Sequence, residues 1–274
     1  MIEKYHHPSC VKGPESLITI LREIDFISSP VSSRFAPMKS LRMILPIGLL
    51  VFIGWQCRPI GPAGPGGVRS QQVSLQSSSM VTVPQMLREV GLKVDLVPRG
   101  THGRKVVRPM RPRYITIHST QNFSQGADAE RHSMALKRGA LRAPKRPGGN
   151  RIGYLIWHYT TDDRMAIQHM PVNEQGEHAD FSGPGNRLSI GIEMCENCGS
   201  DLRNTVDRTA KLTAVLMKQH NIPLRNVVPH YHWPRAGTSQ PNKNCPHFLL
   251  DHGRPGPKWR RFLARVDYHH KRMQ

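Results

Sequence analysis

Acidic and aromatic side chains are both scarce in this chain. Aromatics make up 6% of its 274 residues and apolar residues 38%, too lean a supply for the whole length to share one core. One domain of ordinary size with tails outside it fits that composition. The 19 Asp and Glu stand against 39 Lys and Arg, leaving a net charge of +20. A surface of that sign is drawn to polyanions, whether nucleic acid, anionic lipid or an acidic cell-wall polymer, and charge alone does not choose among them. No recognisable nucleic-acid-binding motif is present, which argues against a nucleic-acid partner.

Cysteine is also sparse. Cys10, Cys57, Cys195, Cys198 and Cys245 are too few and too scattered for a disulfide scaffold. Only Cys195 and Cys198 are close, in "CENC". No second pair exists to complete a four-cysteine metal site, and the motif follows a strand-like run, so it reads as structural or incidental. The apolar run at 43–55 falls short of the ~20 residues a membrane span needs. Lys39 and Arg42 precede it, the layout of a secretory signal, so 38–57 is a cleaved signal or a short membrane anchor. Met38 stands where translation would begin, which leaves 1–37 as an upstream extension outside the fold. Cys57 occupies the place of a lipid-modified cysteine, although Trp55 and Gln56 are poor matches to the small residues such sites prefer. Residues 58–84, rich in Pro, Gly, Ser and Gln, form a solvated linker. No internal repeat is visible.

What remains, residues 85–274, carries the pattern of an α/β domain. "YITIHST" (114–120) is a β-branched strand. Residues 126–139 are helix formers stopped by Gly139. "YLIWHYTT" (154–161) and "RMAIQHMP" (164–171) form a hairpin turning at Asp162 and Asp163, and "RLSIGIEMC" (187–195) is a buried strand. Val206, Ala210, Thr213, Leu216 and Met217 share one face of a helix over 204–221, with Asn204 available as its cap. Residues 258–272 make a last, basic helix. Interleaved strands and helices predict a single domain with a central mixed sheet flanked by helices.

The stretch "HYHWPRAGTSQPNKNCPHF" (230–248) gathers His230, His232, Lys243, Cys245 and His247 in a turn-rich loop. A catalytic zinc takes three protein ligands and leaves one position open, and His and Cys suit it. The loop can supply two ligands; a third must come from a rigid neighbour, and His118 ends a predicted strand.

At these residues the chain resembles a known family. "YITIHST", "WHYTTDD", "LSIGIEMCEN" and "HYHW" followed by "KNCPH" occur in the order and style of the zinc-dependent N-acetylmuramoyl-L-alanine amidases, the amidase-2 family that also includes the peptidoglycan recognition proteins. The similarity spans about residues 95–250. It implies zinc held by His118, His230 and Cys245, with His230 preferred to His232 because the family's ligand histidine is followed by two variable residues and then Trp. It makes Glu193 the catalytic glutamate and Lys243 the residue that stabilises the developing oxyanion. Trp157 stands near a position where other members use tyrosine, which places this chain with the glutamate type. His178, Trp157 and Trp233 are the candidate substrate contacts.

The resemblance also implies a substrate, peptidoglycan or its muropeptides, cut between N-acetylmuramic acid and L-alanine. The signal-like segment at 38–57 predicts, from the residues themselves, an exported protein of the cell envelope, periplasmic or membrane-anchored through that N-terminal segment; the +20 charge makes anionic wall polymers further candidate partners, and a monomer is expected. Two departures stand out: nine residues separate Trp233 from Lys243, so the loop must bulge while its ends converge, and "ALRAPKRPGGNRIGY" looks like a basic insertion. The competing reading is a non-catalytic peptidoglycan-binding module of the same fold. Some family members lose the zinc cysteine and only bind; here Cys245, both histidines, Glu193 and Lys243 are all present.

Overall fold

The computed structural model describes residues 80–143, 152–234 and 237–274. The segments 1–37 and 38–57, most of the linker at 58–84, Cys10, Cys57 and the middle of the basic insertion lie outside the described residues. Within them, no helix is long and apolar enough to cross a membrane.

A six-stranded mixed sheet lies at the centre. Its strands are β1 (Leu92–Val94), β2 (Tyr114–Ser119), β3 (Tyr159–Thr161), β4 (Ala166–Gln168), β5 (Ser189–Met194) and β6 (Val227–Pro229), in the spatial order β1-β4-β3-β5-β2-β6. Only β3 and β4 pair antiparallel. The helices are α1 (Val83–Val90), α2 (Ala129–Lys137), α3 (Pro184–Leu188), α4 (Leu202–His220) and α5 (Pro257–Lys271). The α/β class and the mixed sheet expected from the sequence are therefore both present.

Several boundaries moved, each for a local reason. Helix α1 begins inside the segment whose composition reads as linker. Thr82 and Gln85 form a capping box there, Pro84 starts the helix instead of breaking it, and Gly91 ends it at φ 64°. The cap of α4 is Asp201 and not Asn204: its carboxylate accepts from the N–H groups of Arg203 and Asn204, so the helix starts earlier. The 154–161 run narrows to β3 because Tyr154 and Ile156 each make only an isolated bridge, to Arg142 and Glu177. The hairpin turn is where the sequence put it, with Asp162 Oδ1 accepting from the N–H groups of Arg164 and Met165. Gly139 closes the second helix at φ 63°.

The main core lies between the sheet and α4. Ile115, Ile117, Ile190, Ile192 and Met194 are fully buried against Leu212, Leu216 and Met217. Buried Thr209 and Thr213 satisfy their hydroxyls on the carbonyls of Thr205 and Thr209, so these polar residues sit inside the helix without orphaned groups. Helix α5 packs on α4 through Trp259, Phe262 and Val266, and a clamp at Asp207 fastens the two. That carboxylate accepts from His269 Nε2 at 2.9 Å and from Arg265, with Lys211 Nζ at 3.4 Å. Burial pushes the Asp207 carboxyl up, but the bonds from His269 and Arg265 outweigh it and hold the pKa well below its ordinary 3.8. A depressed carboxylate contributes stability that is fully present above the unfolded value and is lost as pH falls through the folded one. Asp207→Asn should therefore cost about 1–3 kcal/mol at pH 7 in chemical denaturation. The gap to wild type should narrow as the pH drops below 4.

Candidate active site

The site is assembled where parallel strands end. Alternation in β2 sends Ile115 and Ile117 into the core and leaves Thr116 and His118 on the opposite face. In β5, Ile190 and Ile192 go in, while Gly191 and Glu193 share the face of His118. The parallel register pairs His118 directly with Glu193. His230 follows immediately after β6, which pairs with β2 on its other side. Cys245 returns on the long loop. That loop bulges as its spacing requires, and its base is pinched by Asn242 N–H donating to the Trp233 carbonyl at 2.8 Å and by a bridge between Pro234 and Pro241. Tyr231 N–H then donates to the Cys245 carbonyl at 3.0 Å.

Ligand atoms of His118, His230 and Cys245 all lie within 4.8 Å of one another, and all three residues are buried. Hydrogen-bond bookkeeping fixes which atoms face inward. His230 Nε2 lies 2.8 Å from the Ala179 carbonyl, which can only accept, so Nε2 carries the proton and Nδ1 is a lone pair. His178 Nε2 likewise meets the Ser189 carbonyl at 3.3 Å, so its Nδ1 accepts at 3.0 Å from His118 Nε2. That leaves His118 Nδ1 as a second lone pair, 2.9 Å from His230 Nδ1.

Two facing lone pairs repel unless a cation lies beside them. Protonating the rings to relieve this is disfavoured. Burial drives His118 well below its usual value, and burial, only partly offset by the bond to Ala179, pushes His230 down to about 4. The third donor, Cys245 Sγ, accepts the Ser119 N–H at 3.2 Å, while burial and the nearby Glu193 push its thiol up to about 12. Two neutral imidazoles and a sulfur that ionises only beside positive charge are the donor set of a metal ion.

Glu193 stands next to this cluster without joining it. Its Oε1 is 3.8 Å from His118 Nδ1, and its Oε2 is buried with no hydrogen-bond partner among the described residues. Burial, tempered by Lys243, pushes its pKa up to about 7, so it can exchange a proton near neutrality. These groups open on a cleft of about 190 Å³ that is also lined by Trp157, Glu177, His178, Phe181, Asn186 and Lys243. A larger groove of about 510 Å³ between α4 and α5 is lined by no histidine or cysteine.

The predicted residues do not all arrive at the cleft. His118, His230, Cys245, Glu193, Lys243, His178 and Trp157 line it. Trp233 does not: it is buried against Ala179 and Val228, its indole N–H is spent on Thr116 Oγ1 at 2.9 Å, and it anchors the loop base to β2. His232 is exposed, stacks near Trp233 and Tyr114, and borders a different groove with Arg225 and Trp259. Cys195 is a free, buried thiol, so "CENC" makes no disulfide between its own two cysteines.

Sequence reasoning missed the cluster that floors the cleft. Asp180 accepts from the N–H groups of Gly185 and Asn186. Asn186 in turn accepts from the N–H groups of His178 and Ala179 and donates to Glu177. An Asp ahead of a Gly-Pro-Gly turn was the available signal.

Gly191 shows how tightly the site face is packed. A Cβ there would fall 2.8 Å from three ring atoms of His178, which holds His118. Gly191→Ala should cost about 1–3 kcal/mol through overpacking. It should also lower turnover more than ligand-distant substitutions of equal cost, which thermal melts and kinetics on the same sample would compare.

Comparison with known proteins agrees with this geometry. A family model described as N-acetylmuramoyl-L-alanine amidase matches residues 108–248. The chain is 39% identical over 176 residues to CwlH and 41% identical over 163 residues to XlyA, both of Bacillus subtilis strain 168 and both named N-acetylmuramoyl-L-alanine amidases. The matches cover 64% and 59% of this chain, and the chain spans only 60% and 48% of the length of those relatives. Among solved structures, a mutant endolysin from Bacillus subtilis aligns with a TM-score of 0.54 at 39% identity, over 65% of this chain and 99% of that one. The catalytic domain of XlyA aligns with a TM-score of 0.52 at 40% identity, again over 65% and 99%. With more than half its length matched by the family model and its fold shared with these catalytic domains, the chain belongs to the amidase-2 family of N-acetylmuramoyl-L-alanine amidases.

Proposed function

We propose that this chain is a zinc-dependent amidase acting on peptidoglycan or its muropeptides, hydrolysing the bond between the lactyl carbonyl of N-acetylmuramic acid and L-alanine of the stem peptide. The observation that carries the reading is the convergence of three metal-donor atoms beside a buried carboxylate oxygen that has no hydrogen-bond partner among the described residues. His118 and His230 would hold the metal through Nδ1 and Cys245 through Sγ. What zinc supplies when bound is Lewis acidity and a water acidified toward pKa ~7.

The chain's own residues do the rest. Glu193, whose Oε2 is unpartnered and whose carboxyl ionises near neutrality, takes a proton from the attacking water. A C–O bond forms at the lactyl carbon, and the C–N bond breaks as Glu193 returns that proton to the departing alanine nitrogen. Lys243 brings a positive charge to the cleft mouth for the oxyanion; one preorganised donor of this kind is worth ~3–4 kcal/mol. Trp157, Phe181 and His178 shape the wall against which substrate is oriented. The binding-module alternative is disfavoured because it has no use for an orphaned catalytic carboxylate, which costs stability to bury.

The basic-then-apolar segment at 38–57 and the substrate together support an exported protein of the cell envelope, with the +20 charge assisting approach to anionic wall polymers. The test is release of free α-amino groups from purified sacculi by the full chain. We expect N-terminal L-alanine to appear, to vanish with chelator and to return with added zinc. Sacculi bound but not cleaved in zinc-replete buffer would favour the binding module.

A further inference from the structure

Glu196 has no part in the reaction just described, yet its carboxylate is only 4% exposed, a costly place for an acid unless its oxygens are bonded. Both are. Oε1 accepts the Gln121 N–H at 2.6 Å. Oε2 lies 3.3 Å from His247 Nε2. The neighbouring Ser119 hydroxyl also favours the charged form of this carboxylate.

These partners belong to two segments that bear metal donors. Ser119 and Gln121 leave β2 directly after His118, and His247 follows Cys245 by two residues. Gln121 is held at φ 51°, a left-handed conformation that a non-glycine residue keeps only when its surroundings impose it. Ser119 closes the circuit. Its N–H donates to Cys245 Sγ at 3.2 Å, and its Oγ lies 3.4 Å from His247 Nδ1.

We infer that Glu196 is a positioning residue for the metal centre: it ties the Ser119–Gln121 segment to the Cys245–His247 segment, fixes the spacing of His118 and Cys245, and keeps the Ser119 N–H aimed at the sulfur. The inference rests on the metal reading above. It differs from a plain structural role in one respect. A bond that merely stabilises the fold adds equally to the metal-free and metal-loaded protein, whereas a bond that sets donor spacing acts on metal affinity. Outer groups that orient ligands are typically worth 10–100-fold in that affinity.

The experiment measures zinc dissociation constants of the purified full chain by competition with a chromophoric chelator, for wild type, Glu196→Gln, His247→Gln and the double variant. Thermal melts of the metal-free forms accompany them. Each single change should weaken zinc binding about 10–100-fold. The double variant should be no weaker than the worse single, because the two residues act through one contact. The thiolate-to-metal absorption band of the cobalt-substituted protein should shift in both singles, since the N–H···S bond is disturbed.

Wild-type zinc affinity in Glu196→Gln, with only the metal-free melting temperature lowered, would overturn the inference, and so would losses that multiply in the double variant. His247→Gln touches one arm only and carries the test if Glu196→Gln does not fold. A wild type that binds no zinc would instead overturn the metal reading itself, and this inference with it.

Discussion

Glu193→Gln keeps its metal and loses turnover by about 10²–10⁴-fold, the usual worth of a positioned general base. The geometry explains why the two properties separate. The three donor atoms converge without Glu193, whose Oε1 lies 3.8 Å from His118 Nδ1. Glutamine keeps the shape and the hydrogen-bonding reach but cannot take a proton, so substrate affinity should hardly change. Lys243→Ala should behave in parallel, keeping metal and losing kcat more than KM, because its charge acts on the transition state. A solvated, non-catalytic glutamate would behave differently: the exchange would cost within ~0.5 kcal/mol of stability and leave kinetics alone. Full metal occupancy with near-normal turnover in Glu193→Gln would remove Glu193 from the mechanism; His178 could not replace it, because both its ring nitrogens are already engaged, with the Ser189 carbonyl and with His118.

The second large effect concerns the donors. His118→Ala, His230→Ala and Cys245→Ala should each strip the metal and reduce turnover to background, because three donors leave no spare. A bound metal stabilises the folded state by mass action, about 4 kcal/mol when free metal is 1,000 times its dissociation constant. Wild type should therefore melt at a zinc-dependent temperature, and these three variants should not. His232→Ala is the control. Its ring is exposed and stacks near Trp233, away from the cleft, so metal content and zinc-dependent melting should match wild type. Metal retained in His230→Ala but lost in His232→Ala would reverse the assignment.

Much of this was legible in the sequence because strands announce their faces. The alternation in "YITIH" and "SIGIE" already sets His118 and Glu193 opposite the buried isoleucines, and the register then makes them neighbours. The helices α2, α4 and α5 were legible from periodicity and from Gly139. What stayed hidden depends on contacts far apart in sequence. Strands β1 and β6 are three residues each, too short to show a period, and exist because β4 and β2 offer them edges. Trp233 carries the same local signal whether it lines a cleft or packs inward; the Thr116 hydroxyl, 117 residues away, settles it. Glu196 looked like an ordinary residue after a strand, and only the fold brings Gln121 and His247 to its two oxygens.

The central claim is the identity of the bond cut, and mass spectrometry of a single defined muropeptide digested in ¹⁸O-labelled water tests it most directly. Hydrolysis at the lactyl amide should give an unlabelled stem peptide with a free L-alanine amino group, and a muramic acid fragment carrying one ¹⁸O in its lactyl carboxylate. Both products should disappear with chelator and in Glu193→Gln. Label found instead in a peptide carboxylate within the stem, or at a glycosidic carbon, would contradict the account, because the site would then be cutting a different bond.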